Sequence, residues 1–307
     1  MNALQQIRKL IFSVVIFCAP TLALAGPPDV VASIKPVQGL VLAVMGEIGE
    51  PTVLLPASAS PHSFTLKPSQ AETLQNADVI FWIGPSLETA LQRPLENLST
   101  DAQVIPLLNT PGLDLLQISG DEHGHDHGAI DPHIWLSPTN ILIMLDHIRD
   151  VLVEINPDNA AVYTKNTKVA KNRTKLLMRQ GKGMVAAIKD TPYMVQHDGF
   201  GYIARDFGLT EIGYLQTMPG REPGAKHVSA MRDVIKREGV KCLFHEPQFT
   251  PALAESLSRE LGVRLGVLDP MGTDLTVSPT LHVRIIQSVI VSLDQCLYTP
   301  VDSGPQQ

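Results

Sequence analysis

Three histidines stand in settings that suit metal coordination. His62 lies in Ser60-Pro61-His62-Ser63-Phe64, His133 in Asp131-Pro132-His133-Ile134-Trp135, and His197 in Gln196-His197-Asp198-Gly199. Each falls at the C-terminal end of a strand-like run or on a loop leading into a helix. In open parallel sheets, ligands gather beyond that end of the strands. Neutral imidazole is a common zinc ligand, and three imidazoles with a fourth position open or filled by water make a sensible zinc site. One such histidine alone would more often be structural, so the reading rests on all three holding equivalent places. Asp269, in Leu268-Asp269-Pro270-Met271-Gly272, also ends a strand-like run. It is a candidate for the fourth position or for orienting a ligand from behind, and equally for a turn-forming Asp before Pro.

A second histidine group has a different character. His123, His125 and His127 alternate with Asp and Gly in the run 121–128. Imidazoles and carboxylates crowded on a polar loop can contact transition metals with fast exchange, and the alternative is a solvated loop with a biased composition. His147, His227, His245 and His282 are expected to be structural or solvent-facing, and Trp135 to pack beside His133. The chain holds no phosphate-binding G-x-x-x-x-G-K-[ST] loop, no H-E-x-x-H helix and no G-x-S-x-G elbow.

The elements that must carry these residues alternate in type. Strand-like runs at 30–34, 51–55, 77–83 and 103–108 are separated by helical stretches at 37–45, 67–76 and 86–95. A helix opens at Ser137-Pro138 in the favoured cap-then-proline order and runs to about 154. Asn156-Pro157 starts another, long and charged, reaching to about 189 with Gly181 and Gly183 as places for a kink. The alternation then resumes, with strands at 193–196, 210–216, 241–245 and 264–268 and helices at 200–207, 228–237, 251–261 and 279–297. This order predicts an α/β fold with two domains, each a parallel sheet flanked by helices, joined by a long rigid linking helix. The expected division is 1–25 as a signal peptide, 26–155 as an N-terminal domain, 156–189 as the linking helix and 190–307 as a C-terminal domain.

Composition narrows the compartment and the partners. Arg8 and Lys9 precede an apolar run that ends in Ala23-Leu24-Ala25, the pattern of a cleaved secretory signal; the alternative is an uncleaved N-terminal anchor. The first 25 residues hold two basic and no acidic residues, so their removal moves the net charge from −7 to −9. A chain of that charge has little attraction for nucleic acid. Export leaves Cys242 and Cys296 in an oxidising compartment, where a pair is expected to form a disulfide, with two buried free thiols as the alternative.

Taken together, these motifs resemble the zinc-specific solute-binding proteins of ABC transporters, the ZnuA-like family. The resemblance is carried by Ser60-Pro61-His62-Ser63-Phe64 with Lys67-Pro68-Ser69, by Asp131-Pro132-His133-Ile134-Trp135-Leu136-Ser137-Pro138, by His197-Asp198, by the His-bearing acidic loop and by Glu246-Pro247-Gln248-Phe249. It spans essentially the whole mature chain. It implies two α/β domains about a metal cleft, with zinc bound by His62, His133 and His197 as transported cargo. It also implies a monomer in the periplasm, with no enzymatic activity, that delivers to a membrane permease and its ATPase. Where some relatives carry an acidic residue directly before the first histidine, this chain has Pro61, which leaves the fourth ligand open among water, Asp269 and a loop histidine. Two rival readings remain. One is a manganese- or iron-binding protein of the same transporter class. The other is a periplasmic zinc hydrolase, with Asp198, Glu246 or Asp269 as its base.

Overall fold

The structure, a computed structural model, describes residues 26–99, 101–118, 130–216 and 223–298. The expected signal segment and the loop histidines His123, His125 and His127 lie outside these residues.

The first half builds a parallel sheet from β1 (Val30–Ala32), β2 (Thr52–Val53), β3 (Val79–Trp82) and β4 (Gln103–Pro106), in the order β2-β1-β3-β4. The second half repeats the plan with β5 (Tyr193–His197), β6 (Glu211–Gln216), β7 (Cys242–His245) and β8 (Arg264–Val267), in the order β6-β5-β7-β8. All pairings are parallel. The inner strand β3 reads Val-Ile-Phe-Trp and is buried throughout, as expected of a strand covered on both faces. The α/β fold with two helix-flanked parallel sheets is therefore as the residue pattern predicts.

Helices α1 (Lys35–Met45), α2 (Pro68–Gln75) and α3 (Thr89–Leu98) belong to the first half. Then come α4 (Pro138–Ile155) and α5 (Ala160–Met184), followed by α6 (Gly201–Phe207), α7 (Ala225–Arg237), α8 (Ala252–Leu261) and α9 (Leu281–Leu297). The Ser137 hydroxyl accepts a hydrogen bond from the Asn140 N–H, and Pro138 occupies the first turn, so α4 starts as its sequence directs. The long helix α5 spans 25 residues, about 37 Å at the helical rise. Its buried positions, Tyr163, Thr167, Ala170, Thr174, Leu177 and Gly181, recur at three- and four-residue steps and form one inward seam. The helix ends at Met184, earlier than expected. Gly181 serves close packing: a Cβ there would lie 2.5 Å from Phe207 Cε1 and 2.9 Å from Ile290 Cδ1.

Helix α9 crosses back from the second half to pack on α1 and α5. One apolar core consequently runs from β1, β3 and α1 through α4 and α5 to β5, α6 and α9. A smaller core, with Met194, Leu215, Ile235, Leu243 and Leu257, fills the space between the second sheet and α7 and α8. Cys242, at the start of β7, is disulfide-bonded to Cys296 near the end of α9, with Cα atoms 6.2 Å apart. Among the described residues no helix is long and apolar enough to cross a membrane.

Candidate metal centre

Each of the three histidines reaches the centre from a different kind of position. His197 is the last residue of β5. His133 sits directly before a single 3-10 turn, Ile134–Leu136, that leads into α4. His62 lies on the loop 54–67 between β2 and α2, where its backbone N–H donates to Ser60 Oγ at 3.3 Å. The ends of that loop are tied down by Gln70, whose Oε1 accepts from Lys67 N at 2.7 Å and whose Nε2 donates to Leu54 O at 2.5 Å.

The rings converge. His133 Nε2 lies 3.3 Å from His62 Nε2 and 3.2 Å from His197 Nε2, and one ligand nitrogen from each ring lies within 4.8 Å of the others. A tetrahedral zinc with Zn–N bonds of about 2.0–2.1 Å spaces its nitrogens about 3.3–3.4 Å apart. The two separations from His133 match that spacing.

Two carboxylates set the protonation pattern. Asp131 Oδ1 lies 2.7 Å from His133 Nδ1 and also accepts the His133 backbone N–H at 2.9 Å. Glu246 Oε1 lies 2.5 Å from His197 Nδ1. A carboxylate beside Nδ1 holds the ring proton there and leaves the Nε2 lone pair facing inward. The Nε2 atoms of His133 and His197 face each other at 3.2 Å, the spacing of two ligands on one cation. The backbone that carries each carboxylate is itself tied down. The Asp131 carbonyl accepts from Tyr202 Oη at 2.9 Å, and the Glu246 N–H donates to Gln196 Oε1 at 2.9 Å.

Burial and charge separate the rings electrostatically. Burial, followed by the neighbouring His133 and His197, pushes the His62 imidazole down to about 2, so it stays neutral and able to ligate. For His197 burial also opposes charge, but the Glu246 carboxylate, with Asp131 and Asp198 behind it, outweighs burial and raises its pKa. The cavity at the centre measures about 10 Å³, room for one water-sized occupant. Pro61, Trp135, Phe249, Pro270 and Met271 wall it, with Gln248 and Glu246 as its polar members beside the histidines. Trp135 packs as expected: its ring lies 5.3 Å from the His133 ring and its Nε1 donates to Pro270 O at 2.9 Å.

Asp269 is placed otherwise than a ligand would be. Its Oδ1 accepts from the Met271 and Gly272 backbone N–H groups at 3.0 and 3.1 Å, and its Oδ2 accepts from Thr273 N at 2.5 Å. The carboxylate is spent on capping a turn, and the converging group consists of His62, His133 and His197 without it. Of the two readings of Asp269, the turn-forming one describes its contacts. His245, at the end of β7, does not join the group either. Sequence reasoning missed the roles of Asp131 and Glu246 behind the imidazoles. Asp131 could have been found from its position two residues before His133. Glu246 could not, because it meets His197 only through the adjacency of β5 and β7.

Comparison with known proteins places this geometry in context. A family model described as the periplasmic zinc-uptake complex component A matches residues 30–296. A Brucella abortus (strain 2308) protein, named high-affinity zinc uptake system protein ZnuA, is 35% identical over 92% of this chain and 95% of its own length. A Haemophilus ducreyi protein of the same name is 31% identical over 88% of this chain and 93% of its own. A crystal structure of ZnuA superposes with a TM-score of 0.77 at 25% identity, covering 88% of this chain and 99% of that one. The fold is shared more widely, for example with a manganese-bound periplasmic metal-binding protein from Candidatus Liberibacter asiaticus, at a TM-score of 0.75 and 21% identity.

Proposed function

This chain belongs to the periplasmic zinc-uptake component A family, and from that membership we propose that it captures zinc between His62, His133 and His197 and hands it to the permease of an ABC-type uptake system. Membership implies the permease with its ATPase and a periplasmic location. The observation that carries the ligand assignment is the 3.2–3.3 Å spacing of inward-facing Nε2 atoms, two of them backed by carboxylates. The protein acts as a monomer, with zinc as its cargo. Water is the fourth ligand, since Asp269 is engaged elsewhere.

An all-imidazole set favours zinc over manganese, which prefers oxygen donors. Competitive titration with both metals tests this, and preference for manganese would refute it. The hydrolase reading is disfavoured by the cavity, because about 10 Å³ accommodates an ion and no ester or peptide. Two of its three candidate bases are also engaged: Glu246 holds His197 and Asp269 caps a turn. Calorimetry on a variant with all three histidines replaced by alanine is the direct test of the site. Zinc affinity should fall by orders of magnitude, and unchanged affinity would end the assignment. Elemental analysis of protein purified without added metal or affinity tag gives the independent check.

A further inference from the structure

His62 is the least anchored of the three ligands. The other two imidazoles each have a carboxylate behind them, whereas no carboxylate lies within ion-pair distance of the His62 ring among the described residues. It is also the most exposed of the three and sits on a loop without helix or strand. What holds that loop from across the molecule is a pair of hydrogen bonds to a single atom. Gln248 Nε2 and Thr273 Oγ1, both from the second half, donate to the Ala57 carbonyl at 3.0 and 3.2 Å. Ala57 lies five residues before His62 on the same loop.

The two donors are built to be in place. Gln248 Nε2 also lies 3.1 Å from both Asp269 Oδ1 and Thr273 Oγ1, so its two N–H groups are shared among three oxygens. Rotating the amide by half a turn would set its oxygen against the Ala57 carbonyl and the Asp269 carboxylate, neither of which can donate, so the nitrogen must face them. Asp269 fixes the second donor by gathering the N–H groups of Met271, Gly272 and Thr273 into one turn. That turn requires glycine, since Gly272 has φ +63° and a Cβ there would meet Ile285 Cγ1 at 2.8 Å. Lys35 of α1 completes the tie, its Nζ donating to Thr273 O at 2.9 Å.

We propose that Gln248 and Thr273 form a two-donor latch on the Ala57 carbonyl, set in position by Asp269, and that this latch determines how long His62 stays on the bound zinc. The inference rests on the metal-site reading above. Thr273 and Asp269 are positioning residues that act on the metal through the His62 loop, and Gln248 holds the same loop from the cavity wall. Once the latch opens, His62 can leave and only two imidazoles still hold the ion, which is the first step of release.

The test is the rate of zinc loss to excess chelator, followed by stopped flow on the full mature protein. Gln248→Met and Thr273→Val each remove a donor with little change in shape. Both should release zinc about five- to tenfold faster, the size expected for losing one such hydrogen bond. Thr273→Ser keeps the hydroxyl and should restore the slow rate. The double variant should release zinc faster than the product of the two single effects, because each single variant leaves the Ala57 carbonyl one donor and the double leaves it none. A cobalt-loaded Thr273→Val protein should keep the wild-type visible spectrum, since Thr273 lies outside the cavity wall. Release within twofold of wild type from both single variants overturns the latch, as does a Thr273→Ser protein as fast as Thr273→Val. Failure of the metal reading looks different: the triple histidine variant would then bind zinc as well as wild type, whatever the latch variants do.

Discussion

At the scale of single residues, the centre works because Asp131 and Glu246 decide which nitrogen of each ring carries the proton. Removing such a carboxylate costs about ten- to a hundredfold in metal affinity. Glu246→Gln should therefore weaken zinc binding by that factor at pH 7.5, measured by competition with a chromophoric chelator. The same carboxylate also favours a second proton on the ring, because Glu246 works against burial to raise the pKa of His197. In the metal-free Glu246→Gln protein the His197 pKa should fall, followed by NMR titration. A pKa that rises or stays fixed would show that Glu246 does not act on His197 in this way. That the three histidines converge was legible, since each carries a Pro or Asp neighbour on a strand end or on a loop leading into a helix. Asp269 was not, because an Asp before Pro at a strand end reads alike whether it binds a metal or caps a turn.

Among the elements, α5 and α9 decide whether the two halves hold together. Gly181 lets the end of α5 lie against Phe207 and Ile290. Gly181→Leu should overpack this contact and cost about 1–3 kcal/mol, read from denaturant unfolding. His282 on α9 is buried, and burial, followed by the charge of Arg173 on α5, pushes its pKa down to about 4. A histidine depressed in the folded state contributes stability that is complete above its unfolded pKa near 6.5 and is lost as pH falls through about 4. Across that window the loss is roughly 3 kcal/mol. His282→Met should flatten this part of the stability–pH curve for the metal-free protein, and an unchanged slope would count against it. Element type was readable along the described chain because strand and helix periods alternate plainly. Boundaries were less so. Helix α3 begins at Thr89 rather than at Ser86, because the Glu88 carboxylate turns back to accept from Gly84 N and Ser33 Oγ.

For the molecule as a whole, the cysteine pairing was readable from compartment and count, whereas the strand order that brings Glu246 to His197 had to be seen. The disulfide closes a separation of 54 residues, for which the chain-entropy model gives about 4 kcal/mol. Reduction should lower the unfolding free energy by about 2–4 kcal/mol. It should leave zinc stoichiometry intact, because neither sulfur is among the converging metal ligands. The apolar core that passes without a break from the first sheet to α9 has a further consequence. Two lobes sharing one interior cannot swing apart without exposing oil to water, so capture should involve scarcely any change in outline. Small-angle scattering profiles with and without zinc should then nearly coincide, and calorimetry should find a heat capacity of binding close to zero.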